Sequence, residues 1–381
     1  MHVNDLLKIA VDSGASDLHL KVGSFPTMRV RGSLVPASEA RRLEHEDMVT
    51  IAAHVLTGTY RDRFRTDHEV DLAYSVPGMG RFRCNAFQQR GTVGMVFRVI
   101  PQSPPSIDDL GLPRVMHRIA TEERGLVLVT GTTGSGKSTT LAAVMDEINR
   151  TRSAHIVTIE DPIEYLHKDD RSIVNQRELG IDTNSFSEAL RAALRQDPDV
   201  ILVGEMRDFE TIQTALLAAE TGHLVFSTLH TLDATETINR IIAVFPPHQQ
   251  KQIRVQLASV LRAVVSQRLV PSTDGLRRVP AVEVLITTAF IRDCILDKEK
   301  THLIHGAISQ GTSQYGMQTF DQSIFSLYEQ GMVSYEEALR WASNVDEFKL
   351  KVQGISTTGD MAREQMARSG FPASEITRFG R

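Results

Sequence analysis

Gly125–Met145 reads GLVLVTGTTGSGKSTTLAAVM, and the order of its parts decides the fold. The unbroken apolar run Leu126–Val129 has the character of a strand buried on both faces. It leads into Gly131-x-x-x-x-Gly136-Lys137-Ser138, and an Ala/Leu-rich helical segment follows. Strand, glycine loop and helix in that order form the context a phosphate-binding loop requires. Gly131, Gly134 and Gly136 let the backbone turn where a Cβ would clash, so that several N–H groups can converge on phosphate oxygens at a helix N-terminus. The candidate nucleotide-binding segment is therefore Gly131, Thr132, Thr133, Gly134, Ser135, Gly136, Lys137, Ser138 and Thr139. Lys137 is expected to reach the β- and γ-phosphates, and the Ser138 hydroxyl to ligate Mg²⁺, which makes ATP and Mg²⁺ the expected ligands.

Outward from this loop, the chain of 381 residues is long enough for two domains, each with its own core. A formal net charge of −5 gives no global drive toward nucleic acid or an anionic membrane surface. A RecA-like nucleic-acid motor would share the loop, but the acidic balance and the lack of a basic, aromatic-studded groove argue against one. Cys84 and Cys294 are the only cysteines, which excludes a disulfide framework and a multi-cysteine zinc site. The start, MHVNDLLKIAVDSG, reads as an amphipathic helix without the basic region of a signal peptide. No apolar run approaches the roughly 18 residues of a membrane span, so the expectation is a cytosolic protein with only indirect membrane contact.

The elements divide the chain into four parts. Residues 1–100 combine short helices with turn-separated strands, including VDLAYSV, RFRCNAFQQ and TVGMVFRVI, as an α+β domain with an antiparallel sheet requires. In the second of these runs Phe82, Cys84 and Ala86 share one face, and Arg81, Arg83 and Asn85 the other; Arg98 lies in the next run. That arginine face is either a solvated sheet surface or a set of contacts to phosphate bound by another domain or subunit. Residues 101–114, rich in proline, read as a linker. Residues 115–352 alternate strands (HIVTIE, VILVGE, HLVFSTLH, AVEVLIT) with helices, which calls for an α/β domain with a mainly parallel sheet covered on both faces. From Pro247 onward the chain reads as mostly helical, with Gln249–Leu269 as one helix, and 353–381 reads as a flexible tail.

Ligands of open α/β sheets lie at the C-terminal strand ends, which selects the polar residues there. The first of those strands ends in Glu160-Asp161-Pro162-Ile163-Glu164 and the second in Glu205, followed by Met206-Arg207-Asp208. The third ends in His230, with His223 at its start. Phosphoryl transfer to water needs a metal-bound phosphate, a group that orients the water, and positive charge at the transition state. Carboxylates beside the phosphate loop supply the first two.

Together GTTGSGKST, TIEDPIEY, ILVGEMRD and TGHLVFSTLHT resemble, in order and spacing, the Walker A, Asp box, Walker B and His box of the secretion ATPases of type II secretion and type IV pili. SDLHL, RFRCNAFQQRG, DLGLP, IVNQRE, LRQDPDVILVGE and GMQTFDQSIFSLYEQG extend the resemblance over about residues 1–352, toward the pilus-retraction branch. The resemblance implies a RecA-like P-loop NTPase core, a smaller N-terminal α+β (PAS-like) domain and a C-terminal helical region. It implies a Mg²⁺-dependent ATPase that forms homo-hexameric rings at the cytoplasmic face of the inner membrane. There the ring would drive pilus retraction through a membrane platform protein, alone or with a paralogous retraction ATPase. It casts Glu205 as the Walker B glutamate acting on water or metal, and Glu160, Asp161 and Glu164 as the Asp box. His223 and His230 fall in the His box, with His230 sensing the γ-phosphate, and Arg81, Arg83, Arg98 and Arg207 are the candidate arginine contacts. The zinc insertion common in pilus-assembly and type II secretion ATPases has no cysteines here to build it. One stretch departs from the retraction branch: where that branch shows AIRNLIRE, Ala289–Leu296 reads AFIRDCIL, keeping Ala289, Ile291, Arg292 and Ile295.

Overall fold

A computed structural model describes residues 2–37, 41–101, 103–275 and 277–354. The chain packs as two units. The first runs to Pro104 and takes in Glu164–Lys168; the second comprises Pro105–Ile163 and the chain from Asp169 onward.

In the first unit α1 (Val3–Asp12) precedes β1 (Asp17–Lys21), β2 (Thr27–Val30) and β3 (Ser33–Pro36). Then come α2 (His45–Val55), α3 (Thr59–Asp67), β4 (Glu69–Val76), β5 (Gly80–Gln89) and β6 (Thr92–Ile100). The six strands form one antiparallel sheet in the order β3-β2-β1-β6-β5-β4. Its apolar face carries Phe82, Cys84, Ala86 and Phe97 against Leu6, Leu7, Met48 and Ile51 of α1 and α2. The period-2 reading of β5 therefore holds, with Arg81, Arg83 and Asn85 on the outer face. Two elements were not anticipated. The edge strand β3 leaves Leu34 exposed, and α3 buries only Phe64, so neither has the periodicity that marks a packed element.

The second unit begins with α4 (Val115–Ala120), β7 (Gly125–Thr130), α5 (Lys137–Thr151), β8 (His155–Glu160), β9 (Ile173–Glu178) and α6 (Phe186–Ala193). It continues through β10 (Val200–Val203), α7 (Phe209–Glu220), β11 (Leu224–Leu229), α8 (Ala234–Ala243) and α9 (Gln250–Val260). The strands β12 (Leu261–Pro271) and β13 (Arg278–Ile286) follow, then α10 (Ala289–Leu296), α11 (Ile304–Gln310), α12 (Thr312–Tyr315), α13 (Phe320–Glu329), α14 (Tyr335–Trp341) and α15 (Val345–Val352). The sheet order is β13-β12-β7-β11-β10-β8-β9, parallel except for the edge strand β13. Every residue of β7 is buried: Leu126 and Leu128 face one core with α7 and α8, Val127 and Val129 the other with α4 and α5. Each such side chain contributes roughly 1.5–3 kcal/mol on burial. The helices start on strong caps, with Ser185, Asp208, Asp233 and Thr288 each accepting the backbone N–H three residues on.

The reading of Gln249–Leu269 as one helix is corrected. The helix stops at Val260, and Leu261–Pro271 becomes a strand between β7 and β13. Ala263, Val264 and Val265 are buried on both faces, which removes the alternation that would have marked a strand. Backbone bonding to two neighbours, with β-branched side chains packed on both layers, outweighs the local helical pattern. The IVNQRE stretch forms the other edge, β9. Beyond residue 354 the expected tail lies outside the described residues.

Candidate nucleotide site

The glycine loop joins β7 to α5 with Gly131, Gly134 and Gly136 at φ +143°, +78° and +93°. Only Gly131 is also sterically locked: a Cβ there would stand 2.5 Å from both the Gln267 carbonyl oxygen and Ser135 Oγ. Thr132, Thr133 and Gly134 are exposed, whereas Ser135 is buried. α5 starts at Lys137 without a side-chain cap, so its first N–H groups, reinforced by the helix dipole, are donors suited to an anion. Lys137 is folded back, its Nζ donating to the carbonyl oxygens of Gly131 (2.9 Å) and Thr132 (3.0 Å). Burial pulls its pKa below the ordinary lysine value, and the nearby Glu205 carboxylate opposes that shift. Ser138 is exposed in the first turn of α5, with Thr139 half-buried behind it.

Two strands away, Gly204–Met206 is stitched in place by its neighbours. Gly204 N donates to Ile159 O (2.7 Å), Thr228 Oγ1 to Gly204 O (2.7 Å), and Met206 N to Thr228 O (3.1 Å). Glu205 Oε2 thereby comes to 3.5 Å from His230 Nε2 and 2.7 Å from Arg207 Nε. The parallel register of β10 and β11 sets Val203 beside Ser227 and so brings these two strand ends together. Ser138 and Glu205 offer a hydroxyl and a carboxylate, hard oxygen donors of the kind that hold Mg²⁺ together with phosphate and water.

The other residues singled out in the sequence are placed differently. Glu160 Oε1 accepts from Thr158 Oγ1 (2.6 Å) and from Gln176 Nε2 on β9 (3.2 Å). Asp161 is exposed past the end of β8, and Glu164 belongs with the first unit. His223 sits at the opposite end of β11 from His230, about 20 Å away along six residues of strand, where its Nδ1 lies 2.9 Å from Ala218 O. In the first unit Arg98 donates to Asp17 (2.9 Å), and Arg83 lies 3.9 Å from Asp71. Burial alone would raise the Asp17 carboxyl, but hydrogen bonds from Ser16 and Arg98 bring it below its ordinary value. Arg207 is engaged with Glu205.

Sequence reading missed the groups that β12 contributes. Gln267 donates to Thr140 Oγ1 (2.8 Å) behind the loop, and Arg268 stacks on Phe320 at 3.9 Å. A cavity of about 690 Å³ connects Ser135, Gly136, Thr139 and Thr140 with Asp108–Arg114, Leu269 and Met332. Its size falls in the range of small-molecule sites. Its outer wall includes the DLGLP stretch, which the sequence marks as linker and as part of the family resemblance but not as a site wall. The misread helix hid Gln267 and Leu269.

The profile of the family "Type II/IV secretion system protein" matches residues 2–290. A "Type IV pilus retractation ATPase PilT" of Pseudomonas aeruginosa is 46% identical over 348 residues, 91% of this chain and 100% of that protein. The "Type IV pilus ATPase PilU" of the same organism is 41% identical over 353 residues, 93% of this chain and 92% of that protein. Among solved structures, the pilus retraction motor PilT with bound ADP superimposes with a TM-score of 0.84 at 46% identity, over 91% of this chain and 98% of that one.

Proposed function

This chain belongs to the type II/IV secretion system protein family, and we propose that within it the chain is an ATP-hydrolysing motor of type IV pilus retraction. The observation that carries the reading is the C-terminal end of the sheet, where the glycine loop leaves β7 and where His230, following the neighbouring β11, meets Glu205, following β10, at 3.5 Å. In this reading the N–H groups of Gly134–Thr139 cradle the phosphates, and the adenosine lies in the cavity between the loop and Asp108–Arg114. Lys137 exchanges its two carbonyl partners for phosphate oxygens. Ser138 and Glu205 are the residues that would hold Mg²⁺, which when bound would supply charge neutralisation to the phosphates. Glu205 accepts a proton from the attacking water, and His230 beside it registers the γ-phosphate. Glu160 and Asp161 border the same end of the sheet from β8.

The active form is a homo-hexameric ring with Arg81, Arg83 and Arg98 contributing from the first unit, acting on an inner-membrane platform protein at the cytoplasmic face. No helix among the described residues is long and apolar enough to cross a membrane. A second reading, the accessory ATPase of the same machinery, is favoured by α10, where AFIRDCIL replaces AIRNLIRE and leaves Phe290 and Leu296 exposed. Purified protein should hydrolyse ATP with a Mg²⁺ requirement. Lys137→Ala should abolish turnover, and Glu205→Gln should abolish turnover while still binding ATP; a Glu205→Gln enzyme with undiminished steady-state rate removes Glu205 from the mechanism. In the cell, loss of the chain should leave surface pili that persist without retracting. Absence of pili would instead identify an assembly motor, and normal retraction the accessory role.

A further inference from the structure

The segment between β11 and α8 carries His230 and then leaves its own strand. Ala234, the first residue of α8, donates its N–H to Glu283 Oε1 on β13 at 2.9 Å. β13 lies three strands from β11, beyond β7 and β12. Three strand spacings are about 14 Å, roughly the full reach of the four residues from His230 to Ala234. The segment is therefore drawn across the root of the glycine loop, and Leu232 lines a cavity there together with Gly131–Ser135. Its own bonds hold it open: Leu232 N donates to Glu236 Oε2 (2.7 Å), and the Thr231 and Thr237 hydroxyls meet at 2.6 Å.

Glu283 itself is 3% exposed, the one acid of β13, between the buried Val282 and Val284. It stands opposite Ser266, which accepts a hydrogen bond from Thr130 at the entrance to the glycine loop (3.0 Å). The charged groups facing it are Asp233 from the segment itself, Arg268 from β12 and Asp321 from α13. A carboxyl so placed is costly to bury, and apolar packing would serve β13 better. On the far side of β13, Val282 N donates to Ser323 Oγ of α13 (3.0 Å), and Val284 exchanges backbone hydrogen bonds with Gln318 (2.8 and 3.2 Å).

We propose that Glu283 is a positioning residue, the anchor that stretches the His230–Ala234 segment across the glycine loop and so holds His230 against Glu205. Through β13 the same anchor joins the hydrolytic end of the sheet to α13. The inference rests on the reading of His230 and Glu205 as hydrolytic groups.

The test is steady-state ATP hydrolysis by the purified full chain. Glu283→Ala should lower kcat by at least about tenfold with KM for ATP within about twofold, because the nucleotide cradle is untouched. Glu283→Gln, whose amide oxygen accepts the same N–H, should stay within about threefold of the parent. If Glu283 acts through His230, adding Glu283→Ala to His230→Ala should lower kcat no more than about twofold further, whereas a general packing defect would multiply. Should Glu283→Ala not fold, Ala234→Pro deletes only the donor, at a first-turn position whose preceding residue, Asp233, is already extended (φ −151°, ψ 174°). It should lower kcat in the same way. A Glu283→Ala or Ala234→Pro enzyme within about twofold of parental kcat, or a multiplicative double mutant, overturns the anchor. His230→Ala with parental kcat overturns the hydrolytic reading itself, so the two failures are distinct.

Discussion

At Gly131 two demands coincide, a backbone at φ +143° and no room for a Cβ beside Gln267 O and Ser135 Oγ. Gly131→Ala should therefore cost about 2–4 kcal/mol of stability and most of the nucleotide affinity. Gly134→Ala, where the space is open, should cost about 1 kcal/mol. Denaturant titration and nucleotide binding of the two variants check the contrast, and equal losses would contradict it. The glycine pattern made this residue legible in the sequence. Glu283 was not picked out, although a lone acid inside AVEVLIT is a visible signal, because its partner Ala234 N belongs to a distant segment. Burial raises its carboxyl from the ordinary 4.5 to about 7, against the lowering effect of the Ala234 N–H. A folded state with the higher pKa gains stability that is complete below about pH 4.5 and is lost as pH rises through about 7. Parent and Glu283→Gln should thus be closest in stability near pH 5, and the parent should lose up to about 3 kcal/mol relative to the variant by pH 8. Unfolding curves at those two pH values would show a pH-independent gap if Glu283 were ordinary.

Elements with a single periodicity were read correctly, among them β4, β5, β6 and the capped helices α6, α7 and α8. Those set by long-range pairing were not. β12 carries helix-compatible residues, and its strand character comes from β7 and β13 on either side. The error mattered for the site, since Gln267, Arg268 and Leu269 flank the glycine loop only because this segment is a strand. Two valines separate the readings. Val264→Ala, in the buried part of β12, should cost about 2 kcal/mol, whereas Val255→Ala, on the exposed side of α9, should fall within about 0.5 kcal/mol of the parent. Similar losses at both positions would argue against the helix-to-strand switch at Val260.

For the whole molecule, the proposed ring makes catalysis a property of neighbours. If Arg81, Arg83 and Arg98 serve the nucleotide of an adjacent subunit, rings mixed from an arginine-null chain and a Lys137→Ala chain should recover turnover that neither parent shows, because some interfaces then hold one intact half from each. Demonstrably mixed rings without recovery would confine the arginines to their own subunit. Arg98 and Arg83 are the pair to change first, since they stand opposite each other on β6 and β5 and their acid neighbours Asp17 and Asp71 keep that face solvent-compatible in a single chain. The proline-rich stretch marks the division between the two units in the sequence, but nothing local foretells that Glu164–Lys168 joins the first, where Leu166 donates its backbone N–H to Pro101 O (3.1 Å) across more than sixty residues of chain.

The folded-back Lys137 has a further consequence for such a machine. Because Gly131 O and Thr132 O already satisfy its ammonium group, loading a nucleotide trades one set of partners for another instead of quenching a bare charge. In the proposed motor the same exchange would run backwards on product release, the carbonyls of Gly131 and Thr132 taking the cation back so that the buried lysine is not left unpaired. The loop thus carries its own counterweight, which would narrow the free-energy difference between loaded and empty sites in such a ring.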